Sequence, residues 1–303
     1  MKAYNRTLIG LGTYGNLPFT KLAVQSVRAT VTDPHLLVIV GQPDDAATLD
    51  WLRAEGIAHQ RHAANLGYPA AFNDLHDAAW AGGWDHLIVI GNDVVVYPDA
   101  INSLMAYAAA QPVDWIAGWE ISPEQLLREH PDARRWFHGP AHVFTDFDQR
   151  PWEAHQARPD WTVNARRESL CFNSLLLFKR RVFEQLGYMD ANFFPVYFSD
   201  NDYWFRLRQT DLRACALVVA RHFHFGSRTI HQGVGGSSAR NFENNRAYYL
   251  AKWGGNPGQE QWTTPFNGRP QAAHERYARA LRITTRVEEA GLAESWRQNT
   301  RPE

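Results

Sequence analysis

The chain of 303 residues has little cysteine: Cys171 and Cys215 are too few for a disulfide framework. Its N-terminus, MKAYNRTLIGLG, lacks the apolar stretch of a signal peptide, and no run reaches transmembrane length. Excess charge of one sign is missing too. Lys and Arg number 31 against 32 Asp and Glu, a formal net charge of −1, so there is no global basic field to attract nucleic acid or an anionic membrane. Repeats and low-complexity tracts are absent. These absences predict a soluble, reduced, cytoplasmic protein with no strong sign of nucleic-acid binding beyond what a local basic groove would allow. Tryptophan is in excess: there are 12, and Trp136, Trp152 and Trp161 lie in a polar stretch where core packing does not explain them.

The length and an ordinary hydrophobic fraction suit one large α/β domain with an extension. Strand-like Leu8-Ile9 leads through a Gly-rich loop to a helix at Leu17 to Val27, and a second strand, His35 to Val40, leads to a helix through Leu49 and Leu52. Phe72, Leu75 and Ala79 follow Pro69 with helical spacing that Gly82-Gly83 stop. Leu87 to Ile90 is short, β-branched and without alternation, as a strand covered on both faces is. This order predicts a mostly parallel, doubly wound sheet with flanking helices. From Glu120 to Glu168 the period dissolves into a long insertion. A strand at Ser174 to Phe178, a short helix ended by Gly187, a helix from about Ser199 and a strand at Ala214 to Ala220 follow, then a polar helical tail. The expected division is 1–232, with the insertion at about 120–168, and a helical extension at 233–303.

Gly10-Leu11-Gly12-Thr13-Tyr14-Gly15 matches the dinucleotide fingerprint G-x-G-x-x-G, but the acidic residue expected after the second strand is Gly41. A turn that needs glycine is the simpler reading, and a loop there can still contact a nucleotide. Asp93 directly follows a buried strand, where ligands of open α/β sheets bind, with Gly91 leaving the backbone open; a turn role is its alternative. Ser199 and Asp202 have the spacing of a capping box, which makes Asp202 structural and leaves Asp200 free in a first helical turn, where the dipole favours the carboxylate a general base requires. His222 and His224 fall on one strand face. With Asp93, a His at a strand end gives an oxygen and nitrogen set suited to Mn²⁺ or Mg²⁺ on a diphosphate; hydrogen-bonded structure is the plain alternative. Lys179-Arg180-Arg181 reads as solvated surface at a helix start, while Arg166-Arg167 lies in the insertion beside the sheet's functional edge.

The runs NLGYPAAFN (Asn65 to Asn73), DHLIVIGNDV (Asp85 to Val94), FKRRVFEQLGYMD (Phe178 to Asp190), FFPVYFSDNDYWFRL (Phe193 to Leu207) and HFGSRT (His224 to Thr229) resemble, in order, family 2 glycosyltransferases of the GT-A fold. The tail NNRAYYLAKWGGNPG resembles the helix that follows the catalytic domain in some members. The resemblance implies inverting sugar transfer from a nucleotide-diphosphate sugar to a glycan, a nucleobase-linked hydroxyl or another small hydroxyl compound. It implies Asp200 as catalytic base and Asp93 with His224 on a divalent metal. Donor contacts are then expected at Thr13, Tyr14, Gly15, Gly41, Asn65, Gly67, Asn73, Asn92 and Asp93, and acceptor contacts at Trp136, Trp161, Arg166 and Asp202. Gly91 and Gly41 depart from the family's usual acidic residues. A nicotinamide oxidoreductase and a glycan-binding protein that has lost its metal remain as alternatives.

Overall fold

The computed structural model describes residues 6–121, 163–164, 174–226 and 238–269. Strands β1 (Thr7–Thr13), β2 (His35–Val40), β3 (Ala58–Arg61) and β4 (His86–Ile90) alternate with helices α1 (Leu17–Thr30), α2 (Ala46–Ala54) and α3 (Tyr68–Ala81). After these come β5 (Val94–Val96), α4 (Ala100–Ala110), β6 (Trp115–Ile121), β7 (Val163–Asn164), β8 (Leu175–Lys179), α5 (Arg180–Leu186), α6 (Ser199–Leu207), β9 (Ala214–His224) and α7 (Ser238–Trp253). One sheet runs in the order β3-β2-β1-β4-β8-β6-β9-β5, with β7 beside β9. Its first four strands are parallel. Beyond β4 the sheet is mixed, because β8 and β5 pair antiparallel with their neighbours while β6 and β9 run parallel. The α/β architecture agrees with the sequence, and uninterrupted parallel order holds only for the first four strands.

Helices cover both faces, as alternation along β1 requires. Ile9 and Leu11 join the core under α1 and α4 with Leu22, Val27 and Leu104. Leu8 points to the other face, with Phe72 and Leu75 of α3, Val182 of α5 and Tyr203 of α6. Local signals set the helix ends: Asp45 accepts from the Thr48 amide at 3.1 Å at the start of α2, and Gly187, at φ 64°, ends α5. Trp84, Trp115, Trp204 and Trp253 are buried, so the core itself takes a good share of the tryptophans.

Three sequence expectations change here. Gly10 and Gly12 are strand residues of β1, so the fingerprint lies largely outside a loop. A Cβ on Gly10 would fall 2.4 Å from Leu75 Cδ2, and one on Gly12 would fall 3.1 Å from the Ala71 Cβ. The G-x-G spacing is therefore the period of a strand whose one face lets α3 approach closely; only Gly15, at φ 65°, serves a turn. Glu120, expected to open the insertion, instead belongs to β6. The basic run at Lys179 is also not merely solvated: Arg181 pairs with Asp114 at 3.0 Å and with Asp211.

The last aromatic cluster joins α7 to the segment before α6, with Phe193, Phe198, Tyr248, Tyr249 and Trp253 at its centre. Among the described residues no helix is long and apolar enough to cross a membrane.

Candidate active site

The carboxyl ends of β1, β2 and β4 meet at one edge, the place where open α/β sheets bind ligands. The Gly41 amide donates to the Thr13 carbonyl at 2.8 Å. The Thr13 hydroxyl lies 2.8 Å from that of Thr20, donates to the Gly15 carbonyl at 2.9 Å and accepts from the Asn92 amide at 3.4 Å. A Cβ on Gly41 would stand 3.3 Å from the Thr13 carbonyl oxygen and 3.4 Å from the Tyr14 ring, so a small residue suits this floor. Thr13, Tyr14, Gly15, Gly41, Asn92 and Asp93 are thus brought to one edge.

Asp93 is buried in the turn between β4 and β5, and its carbonyl accepts from the Phe225 amide at 2.9 Å. Its Oδ1 lies 3.1 Å from His224 Nε2. His222 and His224 belong to β9 itself, two residues apart on one face, as alternation predicts. Glu120 was missed as a site residue, although it faces both imidazoles, 3.5 Å from His224 Nδ1 and 3.7 Å from His222 Nε2. The register between β6 and β9 shifts at Ala117 to Trp119, which pairs Glu120 with His222. Gly118 occupies the shift, where a Cβ would fall 2.7 Å from Leu175 Cδ2 and 2.8 Å from the Ala220 carbonyl oxygen. Ser174 donates to Glu120 at 3.2 Å. Its only local signal in the sequence was an acid at the end of a β-rich run.

Burial alone would raise the Glu120 carboxyl, but His222 and His224 outweigh it and hold it well below the carboxylate range. Burial lowers His224, yet Asp93 and Glu120 prevail and push it up to about 10. Burial dominates at the enclosed His222 and lowers it despite Glu120. The pair Asp93 and His224 offers one oxygen and one nitrogen at the separation of adjacent ligands around an ion bound at about 2.1 Å, leaving other positions for phosphate oxygens and water. No three His, Cys, Asp or Glu side chains converge in metal-binding geometry among the described residues, so an ion at this pair would need further ligands from outside the protein.

Asp200 stands in the first turn of α6. Burial raises its carboxyl above the ordinary aspartate value, while the backbone N–H groups of Asn201 and Asp200 oppose that rise. Desolvation and, after it, the Asp200 charge raise the phenol of Tyr68, the first residue of α3. Because α3 begins beyond the carboxyl end of β3, Asp200 shares the edge that carries Asp93.

The capping box does not form. Phe198 is the N-cap of α6, in the left-handed region at φ 65°, and no side chain caps the helix. Asp202 is fully enclosed, accepting from Arg206 Nε at 3.0 Å and Trp253 Nε1 at 2.9 Å and pairing with Lys252 at 2.6 Å. It is structural, as expected, but by other partners, and its enclosure leaves no face for an acceptor. Three donor-side expectations also acquire structural roles. Asn73 donates to the Met189 carbonyl at 3.0 Å and accepts from its backbone N–H at 2.9 Å, which fixes the side chain on the backbone. Asn65 accepts from the Gly67 amide at 3.0 Å, an Asx-type turn. Gly67, at φ 80°, needs to be glycine because a Cβ would fall 2.7 Å from the Pro195 carbonyl oxygen. Trp136, Trp152, Trp161 and Arg166 lie outside the described residues.

No protein-family model and no curated protein matches the chain. Solved structures match by fold. GalNAc-T7, with UDP, GalNAc and Mn²⁺, superposes with a TM-score of 0.53 at 10% identity over 82% of this chain and 48% of that one, so the chain spans about half its length. The mannosyltransferase PcManGT from Pyrobaculum calidifontis, in complex with GDP-Man and Mn²⁺, gives a TM-score of 0.50 at 15% identity over 97% of this chain and 73% of that one. At such identities the likeness is one of backbone architecture, and that architecture is the GT-A fold of glycosyltransferases.

Proposed function

We propose that the protein is a glycosyltransferase that moves a sugar, with inversion, from a nucleotide-diphosphate sugar to an acceptor hydroxyl. The reading is supported by the Asp93 and His224 pair at 3.1 Å beyond the carboxyl end of β4 in a GT-A sheet, with Asp200 in the first turn of α6. The ordered motif runs favour family 2. The complexes of GalNAc-T7 with UDP and PcManGT with GDP-Man support a nucleotide-sugar donor.

In this reading Thr13, Tyr14, Gly41 and Asn92 line the donor's nucleotide side. Mn²⁺ or Mg²⁺, held by Asp93 and His224, would supply charge neutralisation to the diphosphate. Asp200 accepts the proton of the acceptor hydroxyl as that oxygen attacks the anomeric carbon from the face opposite the leaving diphosphate. The raised affinity of Asp200 for a proton makes it a stronger base than a solvated aspartate, and its place in the first turn of a helix limits the cost of the charge it must carry between turnovers. The insertion with Trp136 and Trp161 and the Arg166 side chain remain the proposed acceptor platform, and the absence of a spanning helix in the described residues is compatible with work in the cytoplasm.

The test is calorimetry with UDP- and GDP-sugars, with Mn²⁺ and with chelator, followed by detection of the released nucleoside diphosphate. A nucleotide-sugar that binds with Mn²⁺ and is slowly consumed is the expected result. Failure of every nucleotide-sugar to bind would falsify the reading, and tight binding without any turnover would favour a binding protein built on the same fold.

A further inference from the structure

α6 enters without a local device to aim it. Its N-cap makes no side-chain hydrogen bond, and the two residues before it, Tyr197 at φ 81° and Phe198 at φ 65°, are bulky side chains in the left-handed region. Such backbone persists only where surrounding structure over-determines it. The surrounding structure here is α7, a helix more than thirty residues later in the chain. Phe242 packs its ring 5.4 Å from that of Tyr197 and 5.0 Å from that of Phe198. Asn245 donates to the carbonyls of Val196 at 2.7 Å and Tyr197 at 3.3 Å. One turn on, the Tyr248 hydroxyl donates to Asp190 at 2.8 Å, and at the helix end Lys252 Nζ lies 2.6 Å from Asp190 Oδ2 and 2.6 Å from Asp202 Oδ1. Positions 245, 248, 249, 252 and 253 share one face of α7.

Lys252 is 6% exposed, and its ammonium sits between two carboxylates and within 5.4 Å of the Phe193 and Trp253 rings. A lysine is seldom enclosed unless paired, and this one joins the two ends of the segment from Asp190 to Asp202 that contains Asp200. We infer that Lys252 is a positioning residue for sugar transfer: by binding Asp190 and Asp202 together it fixes the first turn of α6 and so the direction of the Asp200 carboxylate. The inference rests on Asp200 being the base.

The experiment compares the full chain with Lys252→Met and Trp253→Phe, by amide hydrogen exchange and by kinetics. In Lys252→Met, amides of Val196 to Asp202 should exchange at least tenfold faster while those of β4 keep their rates. Transfer kcat should fall at least tenfold with the donor dissociation constant unchanged, a split that general destabilisation does not produce. Trp253→Phe, which keeps an aromatic ring of smaller size and removes one donor to Asp202, should shift both readouts the same way by less, and it decides the matter if Lys252→Met does not fold. Unchanged exchange at Val196 to Asp202, or wild-type kcat, overturns the role. If the parent protein transfers no sugar, the transferase reading falls by itself, and the exchange result still decides whether Lys252 holds the turn.

Discussion

The backbone N–H of Tyr68 donates to the carbonyl of Pro195 at 2.7 Å, so the segment that opens α3 and the segment that opens α6 form one continuous wall. Gly67 makes this approach possible. At this wall the phenol of the half-buried Tyr68 is raised by desolvation and, after it, by the charge of Asp200. The parallel half of the sheet, which carries Asp93, and the helix that carries Asp200 are therefore joined by backbone, and a displacement of either is felt by the other.

For Asp200→Asn we expect turnover to fall by about 10² to 10⁴, the usual weight of a general base, with donor affinity unchanged. Because burial raises the wild-type carboxyl, activity should decline on acidification through a value above that of an ordinary aspartate. A kcat profile against pH checks this, and near-native turnover in the variant would redirect the search for the base.

Asp93→Ala and His224→Ala should each abolish Mn²⁺-dependent donor binding, and because Asp93 is buried and pairs with His224 at 3.1 Å, each should also lower the melting temperature, so binding is measured below the variant's own transition. Glu120→Gln keeps the shape but weakens the hold on His224 Nδ1, and outer-shell partners of this kind are typically worth about 10- to 100-fold in metal affinity. Titration of Mn²⁺ by calorimetry reads all three, and equal affinity in Glu120→Gln would make that carboxylate a bystander.

Gly10→Ala separates packing from nucleotide contact. The new methyl would meet Leu75 Cδ2 at 2.4 Å, so α3 must shift or Leu75 must leave its rotamer, at a cost of about 1 to 3 kcal/mol. Donor affinity should be unchanged, and Leu75→Ala in the same chain should relieve part of the clash. Denaturant unfolding measures both; loss of donor binding without loss of stability would restore a ligand role to the glycine.

Asp190 gives a pH signature. Burial pushes its carboxyl up, but Lys252, the Asn192 amide and Tyr248 outweigh this and leave it below the ordinary value. A folded-state value below the unfolded one means the unfolded chain binds more protons in that window, so the stabilisation is present above the unfolded value and is lost as pH falls through the folded one. Lys252→Met should flatten this acid dependence of the unfolding free energy, and an identical slope in both proteins would assign the acid sensitivity to other groups.

Much of the parallel half was legible in the sequence because each signal there is local: β2 begins and ends at His35 and Val40 as read, and Pro69 and Gly82 bracket α3. The strand β3, Ala58–Arg61, carries no apolar run and was missed, since an edge strand takes its place from pairing with β2 and not from its own composition. The same limit applies to the site. Asp93, Asp200 and His224 carried sequence signals, whereas Glu120 becomes a partner of two histidines only through a register shift between strands that are about a hundred residues apart. Ser199 and Asp202 had the right spacing for a cap, and tertiary donors from α7 took Asp202 instead.

The left-handed pair Tyr197 and Phe198 also bears on the order in which the protein becomes competent. β1, β2 and β4, which place Thr13, Gly41 and Asn92, are complete within the first ninety residues, β1 reaching β4 across the span from Thr7 to His86. The turn before α6 instead depends on a partner 51 residues further along, Trp253 against Asp202, in a helix that is synthesised after all of them. During synthesis, the strands proposed to floor the nucleotide can thus form before the residues that aim the proposed base exist, so a chain caught between the two stages would hold its donor and spare it.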